Sequence, residues 1–324
     1  YLIDKKLIFH MKKVLIIAPK HMGYIEKIIE ELNRHKNIEI TDIHIPKYKY
    51  PNLKSKIKNF FLRNELKFEY CEKYIKNIIT DQTFDIILVI RPDLLSIKTL
   101  EELKSRTKYF KTYFFDGVNR FKRKLQRAPL FDEIFSFEPE DCKEFGFQFI
   151  TNFIYEEKPE QSIFEPIKYS VFTISSYNKK RFETLLKVAE LLKEQNQAHK
   201  IIVMNNKIES HNLIEIIKEP ITLDETKLLL KQSNCMLDIA PIQKHKGLTF
   251  RVFEAMGLHK KIITNNPDIA NYDFYNPQNI LIINENNIDI PNSFLSSEYQ
   301  SVPDEIYQKY TIQTWVKTMF KEVL

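Results

Sequence analysis

The chain has 324 residues, of which 43% are apolar and 28% charged, and its net charge is +6 at neutral pH. That length is long for one hydrophobic core and suits two domains, while charges of both signs on an apolar-rich chain exclude a disordered protein. The charge admits anionic ligands or an anionic membrane surface, but without a localised basic module it does not suit a nucleic-acid partner, and none is expected.

In chain order, residues 1–10 precede Met11-Lys12-Lys13 and are set aside as a leader or upstream extension. Val14-Leu15-Ile16-Ile17-Ala18-Pro19 is a continuous apolar run ended by a turn, the pattern of a parallel strand covered on both faces. A helix with Ile25, Ile28, Ile29 and Leu32 follows, then a strand over 38–45 and a long helical region through Ile79. The strand 84–90, a helix around Leu100 and strands over 112–115 and 131–137 continue the alternation, and Pro139-Glu140-Asp141 opens a helix with acidic residues at its favourable end. Residues 152–168, with Pro159 and Pro166, read as a linker. Beyond it lie a strand over 169–175, a helix over 181–195, a strand over 201–205, a helix near Ile214 and a strand over 235–239. Trp315, Met319 and Phe320 share one helical face near the end, so that helix must pack against something.

Alternating βαβ units predict an α/β protein built on parallel, doubly wound sheets. The expected organisation is an N-terminal Rossmann-like domain over 11–155, a second domain over 156–303, and a C-terminal helix over 304–324 returning toward the first. Five glycines in the whole chain leave no G-x-G-x-x-G or P-loop. Cys71, Cys142 and Cys235 are widely spaced and lack metal-ligand spacing, so they are expected to be reduced thiols of a cytoplasmic protein without structural zinc. No apolar run approaches the roughly eighteen residues of a membrane span.

The chemistry concentrates in 237–265, which reads as a strand end, a basic loop, a helix start and a second strand. Lys244, Lys246 and Gly247-Leu248-Thr249 come immediately before a helix whose free N–H groups and positive dipole end suit an anion. Arg251 lies in the first turn, where a cation opposes the dipole unless an anion sits between them; Glu254 follows on the same face and could accept bonds from ribose hydroxyls. A surface ion pair between the two is the competing reading.

Lys246-Gly247-Leu248-Thr249-Phe250-Arg251-Val252-Phe253-Glu254-Ala255, followed by Lys260-Lys261-Ile262-Ile263-Thr264-Asn265, resembles the donor-site signature of CgeB-like and bacterial capsule or lipopolysaccharide glycosyltransferases of the GT-B fold. Tyr113-Phe114-Phe115-Asp116 and the run 131–141 are similar to the N-terminal half of the same group. The resemblance implies two Rossmann-like domains facing across a cleft, and a nucleotide-sugar substrate, UDP-linked, in place of any cofactor. It implies Glu254 on the ribose, and Arg251 with the Gly247-Leu248-Thr249 backbone on the diphosphate. Lys246 stands where many retaining members have a second glutamate, and Ser175 stands where the fold often has glycine. Arg181 is a further candidate phosphate contact.

Glycosyl transfer needs a neutralised leaving group and an activated acceptor hydroxyl. Lys244, Lys246, Arg251 and the helix end could replace a metal ion, and no D-x-D motif is present. His21 and Asp116, both after strands of the first half, are the candidate bases. The basic-aromatic segment 48–67 and the basic run 120–127 suggest peripheral attachment to an anionic membrane, reached for a glycan or lipid-linked acceptor; core-facing phenylalanines on a solvated helix are the alternative. A UDP-sugar epimerase, or a non-catalytic sugar-nucleotide or glycan-binding subunit of the same fold, are the alternative functions.

Overall fold

A computed structural model describes residues 11–19, 23–46, 48–62, 65–120, 123–156, 165–206, 210–240 and 246–324. His21 and Lys244 therefore lie outside the described residues. Two compact units emerge, one of residues 1–150 with 315–324, the other of residues 151–314.

In the first unit the order is β1 (Lys12–Pro19), α1 (Tyr24–Leu32), β2 (Ile38–Ile45), α2 (Leu53–Phe61), α3 (Glu65–Ile79), β3 (Phe84–Ile90), α4 (Ile97–Lys104), β4 (Thr107–Phe114), α5 (Arg123–Arg127), β5 (Glu133–Ser136), α6 (Pro139–Phe145) and β6 (Gln148–Phe149). The strands form one parallel sheet in the order β2-β1-β3-β4-β5-β6. Val14–Ala18 and Ile86–Ile90 are buried on both faces, which is why these strands carry no polar alternation. The expected strand at 112 begins five residues earlier, because Lys108 and Tyr109 extend the ladder on an exposed stretch where burial gives no apolar signal. Gly146, at φ 71°, ends α6 in the left-handed conformation that glycine adopts without a Cβ penalty.

The second unit runs β7 (Tyr169–Ser176), α7 (Lys179–Glu194), β8 (His199–Met204), β9 (Glu215–Ile217), α8 (Leu223–Lys231), β10 (Ser233–Asp238), α9 (Phe250–Gly257), β11 (Lys261–Thr264), β12 (Ile280–Ile282), α10 (Asn292–Ser296) and α11 (Asp304–Lys309). Its parallel sheet has the order β12-β11-β10-β7-β8-β9. The helix expected near Ile214 is instead a strand. Glu215–Ile217 pairs with β8, and the helix waits until after Pro220, where Thr222 and Glu225 close a reciprocal capping box. The chain then enters α12 (Ile312–Met319), and Trp315–Leu324 belongs to the first unit. There Trp315 stands edge-on to Tyr113 at 5.3 Å, which accounts for the apolar face of the terminal helix.

Gly257 closes α9 against the segment that leads into the second unit. A Cβ there would meet Ile154 Cγ2 at 2.8 Å and Glu156 Cβ at 3.3 Å. Ile154 is buried and β-branched, so it cannot swing aside. Gly257→Ala should therefore destabilise the protein by about 1–2 kcal/mol despite alanine's better helix propensity, as read by urea denaturation.

Candidate functional site

In the second sheet the strand order reverses between β10 and β7, and open α/β sheets bind ligands beyond the carboxyl ends of strands at such a point. Sequence-distant polar residues converge there. Arg251 donates through Nε to the Ile174 carbonyl at 2.9 Å, with a second bond to the same oxygen from its terminal amine. Arg181, held at the start of α7 where Asn178 caps its N–H, donates Nε to Ile239 O at 2.8 Å and Nη1 to Ser176 O at 3.2 Å. The two guanidinium groups thus bracket the ends of β7 and β10. Asp238, buried at the end of β10, is pushed above the usual carboxylate range by burial, against the pull of Arg251, the adjacent Thr249 hydroxyl and Arg181. The Ser175 hydroxyl is buried without a hydrogen-bond partner.

The turn into α9 is fixed by amides from three directions. Asn152 Nδ2 donates to Leu248 O and Asn266 Nδ2 to Lys246 O, each at 2.9 Å. Asn265 makes a two-way clamp on Ala240, accepting its N–H at 2.8 Å and donating to its carbonyl at 2.9 Å. Both flanks of residues 241–245 are therefore held by the Asn265-Asn266 pair that follows β11. Lys246 is exposed, whereas Gly247 and Leu248 are buried. Thr249 is the N-cap of α9 in extended conformation, yet no side-chain bond caps the helix. Glu254, 5% exposed, accepts a bond from the Tyr155 hydroxyl at 3.0 Å. It is a buried residue of α9, which sets aside the surface ion pair with Arg251.

Two lysines of the motif serve the fold. Lys260 Nζ donates to Lys231 O at 2.7 Å in the last turn of α8, and Lys261 Nζ gathers the carbonyls of Phe294, Leu295 and Ser297 at the end of α10. Cations at helix carboxyl ends satisfy orphan carbonyls and oppose the dipole.

Asp116 lies in the first unit, just after β4. Its backbone carbonyl accepts from Lys124 Nζ at 2.6 Å. Lys124 is fully buried, 4.6 Å from the Phe114 ring centroid, and burial pushes its amine down to about 8 against the attraction of Asp116 and Asp93. Arg127, also buried, donates Nε to Leu95 O at 2.9 Å. Two cations of the run 120–127, Lys124 and Arg127, are therefore drawn inward onto carbonyls and are not surface charge.

No protein-family model matches the chain and no curated protein matches its sequence. Solved structures do match. A UDP-forming α,α-trehalose-phosphate synthase from Burkholderia xenovorans superposes with a TM-score of 0.60 at 9% identity, covering 97% of this chain and 99% of that one. The Escherichia coli trehalose-6-phosphate structure bound with UDP-2-fluoro glucose gives 0.61 at 10% identity, covering 96% and 99%. The UDP-GlcNAc 2-epimerase of Methanocaldococcus jannaschii, in complex with UDP-GlcNAc and UDP, gives 0.51 at 13% identity, covering 96% and 100%. The chain has the GT-B fold. Its two Rossmann-like domains are the two six-stranded parallel sheets with their helices.

Within this GT-B chain, the structure brings Ser175, Arg181, Gly247, Leu248, Thr249 and Arg251 to one edge of the second sheet, and places Asp116 in the other unit. Sequence reasoning missed Tyr155, Asn152 and the Asn265-Asn266 pair as residues that hold this edge. The last carried no distinctive signal, since asparagines after a strand are ordinary turn and cap residues, and Asn266 also caps the short helix at 267–271 by accepting the Asp268 N–H. Among the described residues no group of three or more His, Cys, Asp or Glu is placed to hold a metal ion. No helix among them is long and apolar enough to cross a membrane.

Proposed function

We propose that the protein is a glycosyltransferase that moves a sugar from a nucleotide-sugar, UDP-linked, to a glycan or lipid-linked acceptor at the inner face of the membrane, in bacterial surface polysaccharide synthesis. The observation that carries this reading is the amino end of α9, which has no side-chain cap and lies at the strand-order reversal beside Arg251 and Arg181. A diphosphate supplies the negative charge that this end lacks. Lys244 and Lys246 neutralise it without a metal ion, the buried hydroxyl of Ser175 finds a partner, and Glu254 accepts from the ribose. Arg251, whose Nε and one amine are committed to Ile174 O, braces the end of β7 and contributes charge.

In the reaction the acceptor oxygen forms a bond to the anomeric carbon as the bond from that carbon to the diphosphate breaks. The acceptor proton passes to a base, Asp116 or His21, and the leaving electron pair resides on the diphosphate. The first test is a thermal-shift screen with UDP-, GDP-, CMP- and ADP-sugars. A ligand at about 100 times its Kd adds roughly 2.7 kcal/mol, a readily measured rise in Tm, and the UDP-sugars should give it. Absence of a shift with all four would overturn the assignment. Turnover of donor without acceptor would instead identify an epimerase, and binding without turnover a non-catalytic subunit.

A further inference from the structure

Helix α2 is inside out. Of its nine residues only Asn59 is buried, and it points its amide to the Tyr50 hydroxyl at 2.8 Å. Leu53 is 71% exposed, Ile57 50%, Phe60 78% and Phe61 77%. At 3.6 residues per turn these four side chains share an arc of roughly 100°, with Ser55 and Asn59 on the opposite side. The helix is well formed at its start: Asn52 accepts the Ser55 N–H at 2.8 Å, and Ser55 Oγ accepts the Asn52 N–H at 3.3 Å. Its apolar face is therefore outward on a capped helix.

The charge around that face selects the occupant. Lys56 flanks the apolar arc on one side and Lys54 and Lys58 on the other, all exposed. From Pro46 to Asn64 the sequence holds six Lys or Arg and no Asp or Glu. A second copy of this face would bring like charges together. An anionic bilayer receives both features at once, with rings and aliphatic groups in the acyl boundary and ammonium groups at the lipid phosphates.

We propose that α2 seats the protein on an anionic lipid surface, with Leu53, Ile57, Phe60 and Phe61 inserted and Lys54, Lys56 and Lys58 on the headgroups. This names the surface by which the membrane-side acceptor of the proposed function is reached, and in that respect rests on that reading. Its test uses neither donor nor acceptor, so the two fail separately.

The experiment is flotation of the full chain with vesicles of phosphatidylglycerol and phosphatidylcholine, compared with phosphatidylcholine alone, at low and high salt. Binding is expected to the anionic vesicles and to weaken with salt. Lys54→Gln/Lys56→Gln/Lys58→Gln should bind on the order of 100-fold more weakly, at about five-fold per charge. Phe60→Ser/Phe61→Ser should lose at least tenfold with an unchanged melting temperature, because these side chains do not enter the core. Four results would overturn the proposal: no flotation of the wild type at low salt, equal binding to phosphatidylcholine alone, wild-type binding by both variants, or a dimer in sedimentation that the phenylalanine variant dissolves.

Discussion

Replacing Lys111 by alanine is expected to cost about 3–5 kcal/mol in urea denaturation, the range for removing one partner of a buried ion pair. Lys111 sits in β4 with its side chain fully buried, and its ammonium meets Glu133 at 2.6 Å, Glu322 at 2.7 Å and the Met319 carbonyl at 3.0 Å. It thereby ties β4 and β5 to the chain's last residues. Burial works against the Glu133 carboxylate, but bonds from Lys111 and Lys321 overcome it and hold the group down at about 2. A carboxylate depressed in the folded state contributes stability that is present above its unfolded pKa of about 4.5 and lost as pH falls toward 2. Without Lys111 that acid-labile part should shrink, since only Lys321 and the Gln148 amide remain on Glu133. Lys111→Met/Glu133→Gln/Glu322→Gln should recover most of the loss, because it removes the orphaned charges along with the cation. A loss below about 1 kcal/mol for Lys111→Ala would show that the triad does not hold the terminal segment.

The contrast between Lys111 and Val14–Ala18 shows what sequence pattern can convey. A strand covered on both faces must be apolar throughout, so β1 and β3 declare themselves, and the βαβ alternation carries the doubly wound architecture with them. A buried lysine has no such signature. Nothing in the sequence marks Lys111, Lys124 and Lys261 as buried, because their partners are carbonyls and carboxylates up to 211 residues away. Helix α2 illustrates a second limit: periodicity reveals an apolar arc but not the direction in which it faces. In the candidate site the helix start at 249–250 was legible from composition and spacing, whereas the burial of Glu254 was not, since its spacing from Arg251 fits a surface ion pair as well. The commitment of Arg251 and Arg181 to the carbonyls of Ile174, Ser176 and Ile239 was not, since backbone acceptors are anonymous in sequence.

Glu254 offers the cleanest separation of structural from ligand roles at that site. Glu254→Gln keeps the side-chain shape and an oxygen to accept from the Tyr155 hydroxyl, so its effect on unfolding should stay within about 1 kcal/mol. A ribose hydroxyl that donates to the carboxylate would lose a charge-assisted bond, worth about 1.5–3 kcal/mol, or roughly 10- to 150-fold in donor affinity. Tyr155→Phe should do the opposite: it removes one internal donor to Glu254, costs about 1 kcal/mol of stability, and keeps the carboxylate charge, so donor affinity should stay near that of the wild type. Calorimetric titration of the UDP-sugar that raises Tm, run on both variants alongside urea denaturation, distinguishes the roles. Equal donor affinity in the wild type and Glu254→Gln would make Glu254 a buried structural carboxylate, and the ribose would have to be held by another group.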